Sequence, residues 1–372
     1  MARRKQTKVE RSYAARRKAV WRKAKAAKVQ AVLVSRPEDV GYLTGFTGHD
    51  SILALEDGWA CLITDSRYAE QAEGECPDVA LHVRTGEMAV AVGEALKGRR
   101  VRKVGVQAEH VTLQTARRFE QKLPTKRFEP VKDLTTRLRA VKTDAEVRAI
   151  RKAIRVAEGA FRELLGLGAK QWVGATERDL AAELEYRMRR GGADRPAFDT
   201  IVAAGAHGSR PHHHTGGTRI QAGQPVLIDW GASVGGYCSD LTRVVFLHRI
   251  PRKLGEIYEV VRRAQAAGIE AARPGVACKT VDAAARKVIA AAGYGEQFGH
   301  GLGHGVGRQV HEAPGLGKTS TARLRAGMVV TVEPGIYVPG VGGVRIEDDI
   351  RIGPRGACRL TGLPRAADAM IL

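Results

Sequence analysis

The chain has 372 residues, 44% of them apolar, and a formal net charge of +21. That length accommodates two domains with substantial cores, and no apolar run approaches the ~18 residues of a bilayer span, which excludes a helical membrane protein. Five widely spaced cysteines without a CxxC pair argue against a disulfide framework or a cysteine-rich zinc site and fit a reduced, cytoplasmic protein.

The charge is uneven. Residues 1–28, "MARRKQTKVERSYAARRKAVWRKAKAAK", carry twelve Lys/Arg against one Glu, so half of the excess sits in this stretch. It lacks the apolar segment of a secretory signal. It is read as a tail running into a solvated first helix, with residues 1–13 set apart as a basic leader. A weak, salt-sensitive contact of residues 1–28 with nucleic acid or another anionic surface is the sharper expectation.

Further along, "VQAVLVSRPEDVGYLTGFTG" (29–48) predicts a short apolar strand, a Pro-marked turn and a second structured segment. "ILALEDGWACLITDSRYAEQA" (52–72) predicts two strands around an Asp-Gly turn and then a helix start, and "RKVGVQAEHVTLQTARRFEQKL" (102–123) a strand followed by a helix. Such alternation makes residues 14–137 an α/β domain with a mixed sheet. A boundary follows. Thr143 and Glu146 form a capping-box pair, and Val147, Ile150, Ile154, Ala157 and Phe161 keep helical spacing. A second helix opens at "TERDLAAELEYRMRR" (176–190). Beyond residue 197 come short strands and Gly-rich turns, broken by a helix pair around 253–292, so residues 138–372 read as an α+β domain.

Within that second domain, "VLIDWGASVGGYCSDLTRVVF" (226–246) predicts a hairpin with its tip near Val234–Gly236. Asp229 and Asp240 lie almost symmetrically about the tip, so their carboxylates are expected to face each other across the strands, about 4.5–5.5 Å apart at Cβ. Like charges so placed are destabilising unless a cation lies between them, and both interrupt apolar strands, where an unpaired charge is expensive. Cys238 is expected to pack inward as a small apolar side chain.

"HGLGHGVGRQVHE" (300–312) holds three histidines among four glycines. A helix would put His300 and His304 on one face, but each interior glycine costs about 1 kcal/mol there, and no Glu follows His300 as in helical zinc motifs. The imidazoles are therefore predicted to project from strand or loop backbone, with glycine admitting a close approach. "GMVVTVEPGIYV" (327–338) ends an apolar strand on Glu333, and in "GVGGVRIEDDIRI" (340–352) the period of two puts Arg345, Glu347 and Asp349 on one face and Asp348 on the other. Four carboxylates and one imidazole suit two hard divalent cations. Oxygen-rich ligation favours Mn²⁺, with Co²⁺ or Zn²⁺ as alternatives.

The ordered set Asp229, Asp240, His304, Glu333 and Glu347 resembles the pita-bread metallopeptidases, most of all the Xaa-Pro aminopeptidase and Xaa-Pro dipeptidase (prolidase) branch. The strings "FDTIVAAGAHGSRPHHH", "LIDWGASVGGYCSDLTR", "GHGLGHGVGRQVHEAP" and "VEPGIYVPGVGGVRIEDD" carry the likeness, and "RPEDVGYLTGFTG" with "LITDSRYAEQA" resembles the creatinase-type N-terminal domain. The resemblance implies a creatinase-like domain over 14–137 and a catalytic domain with a curved antiparallel sheet over 138–372. It implies that Asp229 chelates one metal, that His304 and Glu333 bind the second, and that Asp240 and Glu347 bridge. His212 and His311 match substrate-contacting histidines, and His300 a further active-site histidine; the glycines would keep the backbone close to the metals. Arg345 is expected to orient a ligating carboxylate, and His213 and His214 to be loop histidines. The implied reaction removes the N-terminal residue from proline-containing peptides with proline in second position, by attack of a metal-bridging hydroxide, with Glu333 relaying the proton. Prolidase is the alternative; methionine aminopeptidase, a creatinase-type amidinohydrolase and a non-catalytic binding module on the same fold are weaker rivals. A homodimer is implied as well.

Overall fold

The structure is a computed structural model that describes residues 8–372; the part of the basic leader before Lys8 lies outside the described residues. The chain divides after Leu138 into two compact units.

In the first unit, helix α1 (Lys8–Ala26) runs through the point where the sequence ended the leader. It is not simply solvated. Val20, Trp21 and Ala24 are buried, while Lys18, Arg22 and Lys25 line the opposite, exposed face at i, i+4 and i+7. Arg17 pairs with Asp78 at 2.6 Å. The basic composition masks this apolar stripe, because only three positions per two turns carry it. There follow β1 (Ala31–Val34), α2 (Pro37–Thr44), β2 (Ile52–Glu56), β3 (Trp59–Asp65), α3 (Ala69–Glu75), β4 (Ala80–Arg84), α4 (Met88–Ala95), β5 (Lys103–Gln107), α5 (Leu113–Lys122) and β6 (Arg127–Val131). The strands form one mixed sheet, ordered β4-β3-β2-β1-β5-β6, with β1, β2 and β3 antiparallel in turn and the other pairs parallel. Central β1 is buried on both faces: Val32 and Val34 join one core with Val20, Trp21 and Leu43, and Ala31 and Leu33 the other with Val92 and Phe119.

A short helix α6 (Thr136–Ala140) covers the junction in sequence. The second unit opens with α7 (Asp144–Leu165), started by the Thr143/Glu146 capping box and buried along Val147, Ile150, Ile154, Ala157 and Phe161. Next come α8 (Ala169–Trp172) and α9 (Glu177–Arg190), the latter capped by Thr176 and Asp179. Then follow β7 (Arg195–Pro196), β8 (Ile201–Ala204), β9 (Pro225–Trp230), β10 (Ala232–Val234), β11 (Tyr237–Cys238), β12 (Leu241–Phe246), α10 (Arg252–Ala271) and α11 (Cys278–Ala291). The chain closes with β13 (Gly303–Gly305), β14 (Glu312–Leu316), β15 (Val329–Val332), β16 (Gly335–Val338), β17 (Gly342–Arg345), β18 (Asp348–Ile352) and β19 (Ala357–Arg359).

The paired strands of this unit run antiparallel, in the orders β12-β9-β8, β11-β10-β7, β14-β13-β15-β18-β19 and β16-β17. A bridge between Thr242 and Glu347 ties the first set to the strand that runs into β18. Helix α7 seals the inner side: Phe161 stacks on Trp230 with ring centroids 4.3 Å apart, and the Trp230 indole donates to the Ala157 carbonyl at 3.0 Å.

Two expectations need correction. Asp229 does not face Asp240, because the register sets Asp229 opposite Thr242. Asp240 lies two residues nearer the tip than Thr242, on the same face, so the two carboxylates meet diagonally. The glycines of β13 also serve a different purpose. A Cβ at Gly303 would collide with the Thr331 carbonyl and one at Gly305 with that of Ala313, so glycine admits the neighbouring strands rather than a metal.

Candidate metal centre and substrate cleft

Five side chains arrive at one cleft from several strands and their edges: Asp229 in β9, Asp240 just before β12, His304 in β13, Glu333 after β15, and Glu347 between β17 and β18. Donor atoms of Asp229, Asp240 and Glu347 lie within 4.8 Å of one another, as do those of His304, Glu333 and Glu347. His304 Nε2 stands 3.2 Å from Glu333 Oε1 and 3.5 Å from Asp240 Oδ2. Its Nδ1 donates to the Gly305 carbonyl at 3.2 Å, which turns Nε2 toward the acids.

The surrounding side chains hold this arrangement. Arg345 donates from Nη2 to Asp229 Oδ2 at 2.5 Å and from Nε to the Thr242 hydroxyl at 2.9 Å. That hydroxyl in turn donates to Glu347 Oε2 at 2.6 Å. Thr331 accepts the His304 N–H at 3.0 Å and donates to Glu333 Oε1 at 3.0 Å. Asp349 accepts the backbone N–H of Asp240 at 3.1 Å, and Asp348, on the opposite face, pairs with buried Arg243 at 2.8 Å.

The charges are badly balanced without a cation. Burial pushes Asp229 above the usual carboxylate range. Burial and the adjoining acids push Asp240 and Glu347 well above it. Burial takes Asp349 up to about 8. Burial also acts upward on Glu333, but the hydrogen bond and charge of His304, with His300 and Arg345 beyond, outweigh it and bring that carboxyl to about 2. Asp229 Oδ1 is buried and lacks a hydrogen-bond partner. A buried, unsatisfied charged oxygen costs more than the ~1–3 kcal/mol of a neutral group. The donor set and this orphaned oxygen fit divalent cations bound among hard ligands.

His212 and His311 line the same cleft, whose volume is about 680 Å³. The His311 ring meets the His304 ring edge-on at 4.2 Å, and burial, then the His304 charge, lowers its pKa. His300 donates from Nδ1 to the Gly301 carbonyl at 2.8 Å, leaving Nε2 to accept from the Tyr337 hydroxyl at 2.9 Å. Burial lowers its pKa. Tyr337 also accepts from Arg345 at 2.9 Å. His213 is buried against Glu177, His214 is exposed, and Cys238 packs among Val147, Ile150, Ile154 and Val306 with its thiol pushed up to about 11 by burial. Thr242, Thr331 and Tyr337 were not singled out from the sequence. For Thr242 the signal was available: it sits two residues from Asp240, on the same strand face.

Comparison with known proteins agrees with this architecture. The model of metallopeptidase family M24 matches residues 148–354, and that of the Creatinase/Prolidase N-terminal domain matches residues 16–141. Among curated relatives, the Xaa-Pro dipeptidase of Pyrococcus horikoshii is 41% identical over 247 residues, covering 66% of this chain and 70% of that one. Among solved structures, the Xaa-Pro dipeptidase of Bacillus anthracis aligns with a TM-score of 0.92 at 34% identity, covering 97% of this chain and 100% of that one. The X-Pro aminopeptidase of Thermotoga maritima aligns at 0.86 and 35%, covering 94% and 100%. The chain belongs to metallopeptidase family M24. Its first unit is the creatinase-like domain and its second the pita-bread domain with antiparallel strands.

Proposed function

We propose that the chain is a dinuclear-metal exopeptidase that removes the N-terminal residue from peptides with proline in second position. The observation that carries this reading is the convergence of Asp229, Asp240, His304, Glu333 and Glu347 on one cleft whose walls also hold His212, His300 and His311. Asp229, Asp240 and Glu347 would hold one cation, and Asp240, His304, Glu333 and Glu347 the other; the oxygen-rich set favours Mn²⁺ over Co²⁺ or Zn²⁺. When bound, such ions supply Lewis-acid polarisation of a carbonyl and water acidified toward neutral pH.

The chain's own residues then do the following. Glu333 takes the proton released by the attacking water and delivers it to the departing proline nitrogen, since a carboxylate at the edge of the proposed metal pair is placed to relay it. His212 and His311 donate hydrogen bonds to the oxygen that gains charge as the scissile carbonyl becomes tetrahedral, and steer the proline-side carbonyl. Arg345 and Thr242 keep Asp229 and Glu347 aimed inward. A dedicated cleft makes physical sense for this bond, since the proline nitrogen has no N–H to present to a peptidase that reads backbone hydrogen bonds.

A cleft of about 680 Å³ has room for a dipeptide or a tripeptide. The dipeptidase reading is favoured by the names of the relatives from P. horikoshii and B. anthracis. The Mn²⁺-loaded protein offered a Xaa-Pro-Yaa tripeptide and a Xaa-Pro dipeptide separates the aminopeptidase and dipeptidase readings: cleavage of the tripeptide supports the first, cleavage of the dipeptide alone the second. Five free cysteines support a reducing, cytoplasmic setting. Exposed Lys18, Arg22, Lys25 and Lys28 support a salt-sensitive contact of residues 1–28 with an anionic surface.

A further inference from the structure

One buried acid of the second unit takes no part in the metal cluster. Glu177 is the first residue of α9 and is fully buried. Its carboxylate receives four donors. Oε1 accepts from the Ala204 N–H at 2.9 Å and from His207 Nδ1 at 2.8 Å. Oε2 accepts from His213 Nε2 at 2.9 Å and from the Gly216 N–H at 3.2 Å. All four donors belong to one segment, 204–216, which leaves β8, passes through His212 and returns to the N-terminus of α9.

We infer that Glu177 is a positioning residue that sets where His212 stands in the cleft, an inference that rests on the peptidase reading above. Pro211 and His212 form a turn in which the His213 N–H donates to the Arg210 carbonyl at 3.1 Å. His213 turns inward to Glu177 and is buried, while His212 is exposed on the cleft wall. On the other side of His212, the Pro211 carbonyl accepts from Arg345 Nη1 at 3.4 Å, and the same guanidinium holds Asp229. Both neighbours of His212 are thereby tethered, one to an acid outside the metal cluster and one to the arginine inside it. The His207 and His213 rings pack with centroids 4.4 Å apart, which closes the turn over the carboxylate. Burial pushes the Glu177 carboxyl up, but bonds from Ala204, His213, His207 and Gly216 outweigh it, so the acid stays ionised and keeps all four donors satisfied.

Glu177, His207 and His213 also have the composition of a His₂-carboxylate metal site, with donor atoms within 4.8 Å of one another. The hydrogen-bond reading is favoured because each carboxylate oxygen already accepts a backbone N–H and none of these side-chain atoms is left without a partner. A metal would have to displace satisfied bonds rather than fill a vacant valence.

The test is a double-mutant cycle on the full-length, Mn²⁺-loaded enzyme with a Xaa-Pro-Yaa substrate, using Glu177→Gln, His212→Ala and the pair. Glutamine keeps the shape but presents an NH₂ to a backbone N–H. A misplaced His212 is expected to cost about 10- to 100-fold in kcat/KM. In the His212→Ala background the same change is expected to cost less than about threefold, because its effect passes through His212. Equal losses in both backgrounds overturn the inference in favour of a general structural defect. So does a bound metal equivalent that is present in the parent and lost in Glu177→Gln. The ¹H–¹³Cε1 NMR signal of His212 in the metal-free protein provides an arm independent of turnover: Glu177→Gln should shift or broaden it while leaving His248 unchanged. If the parent cuts no Xaa-Pro peptide, the peptidase reading fails, and the NMR arm still decides the clamp, with an unchanged His212 signal refuting it.

Discussion

Thr242→Val isolates a single hydroxyl at the heart of the cluster. Thr242 is fully buried, its hydroxyl donates to Glu347 Oε2 at 2.6 Å and accepts from Arg345 Nε at 2.9 Å, and it stands opposite Asp229 in the β9–β12 register. Valine fills the same volume, so the change opens no cavity and removes only the two hydrogen bonds. Each involves a charged partner and is worth about 1.5–3 kcal/mol. The loss falls on the orientation of Glu347 and of the arginine that holds Asp229, both proposed ligands. Removing a group that orients ligands costs about 10- to 100-fold in metal affinity, or about 1.4–2.8 kcal/mol, which the bond inventory can supply. The assay is Mn²⁺ titration of the metal-free enzyme against Xaa-Pro-Yaa cleavage. The half-activating concentration should rise by about 10- to 100-fold, with the rate at saturating metal largely recovered. Thr242→Ser, which restores the hydroxyl, should return the half-activating concentration to near the parent value. An unchanged half-activation in Thr242→Val refutes the reasoning, and so does a Thr242→Ser variant as impaired as valine.

Three further outcomes follow from other contacts. Glu312 is buried between Lys142, 2.8 Å away, and Arg139, so Glu312→Gln removes the negative charge facing both cations and should destabilise the protein by about 3–5 kcal/mol in denaturant unfolding. Burial lowers the Lys142 pKa, with Glu312 opposing, and burial acting upward on Glu312 is outweighed by Lys142 and Arg139. In the parent, the depressed Glu312 contributes stability above its unfolded pKa and loses it as pH falls through its folded value. In the variant, the depressed lysine costs stability below its folded pKa and recovers as pH rises toward its unfolded value. The deficit should therefore be greatest near neutral pH and shrink in both directions; a pH-independent deficit would contradict this. Tyr337→Phe removes the hydroxyl shared by His300 and Arg345 and should lower kcat/KM by about tenfold and, because one of the lost bonds has a charged partner, cost about 1.5–3 kcal/mol in unfolding. Replacing exposed Lys18, Arg22 and Lys25 by serine should reduce the log–log salt slope for binding a single-stranded oligonucleotide by about 2, at about 0.7 per phosphate contact, and leave peptide cleavage alone.

Much of the second unit was legible because its chemistry follows strand periodicity. The alternation that set Arg345, Glu347 and Asp349 against Asp348 is the arrangement observed, since buried strands cannot slip by one residue without turning charges into the core. The α7 stripe and its capping box were equally local. The hairpin was read two residues out of register, so that Asp240 stood where Thr242 does; symmetry about a Gly-Gly tip does not specify which residues of the turn are paired. Glu177 reads from sequence as one more acid in the first turn of a capped helix. Its partners lie 27 to 39 residues away and converge only when the loop folds back. Helix α1 hid its buried face for the opposite reason: twelve cations in the first 28 residues swamp an apolar stripe carried chiefly by Val20, Trp21 and Ala24.

The most direct test of the account is cleavage of a Xaa-Pro-Yaa peptide by the Mn²⁺-loaded parent and by Asp240→Ala, with the matched Xaa-Ala-Yaa peptide alongside. Free Xaa should appear from the proline peptide with the parent, fall by several orders of magnitude with Asp240→Ala, and be far slower from the alanine peptide. No cleavage with Mn²⁺, Co²⁺ or Zn²⁺, or cleavage that survives Asp240→Ala, would contradict it.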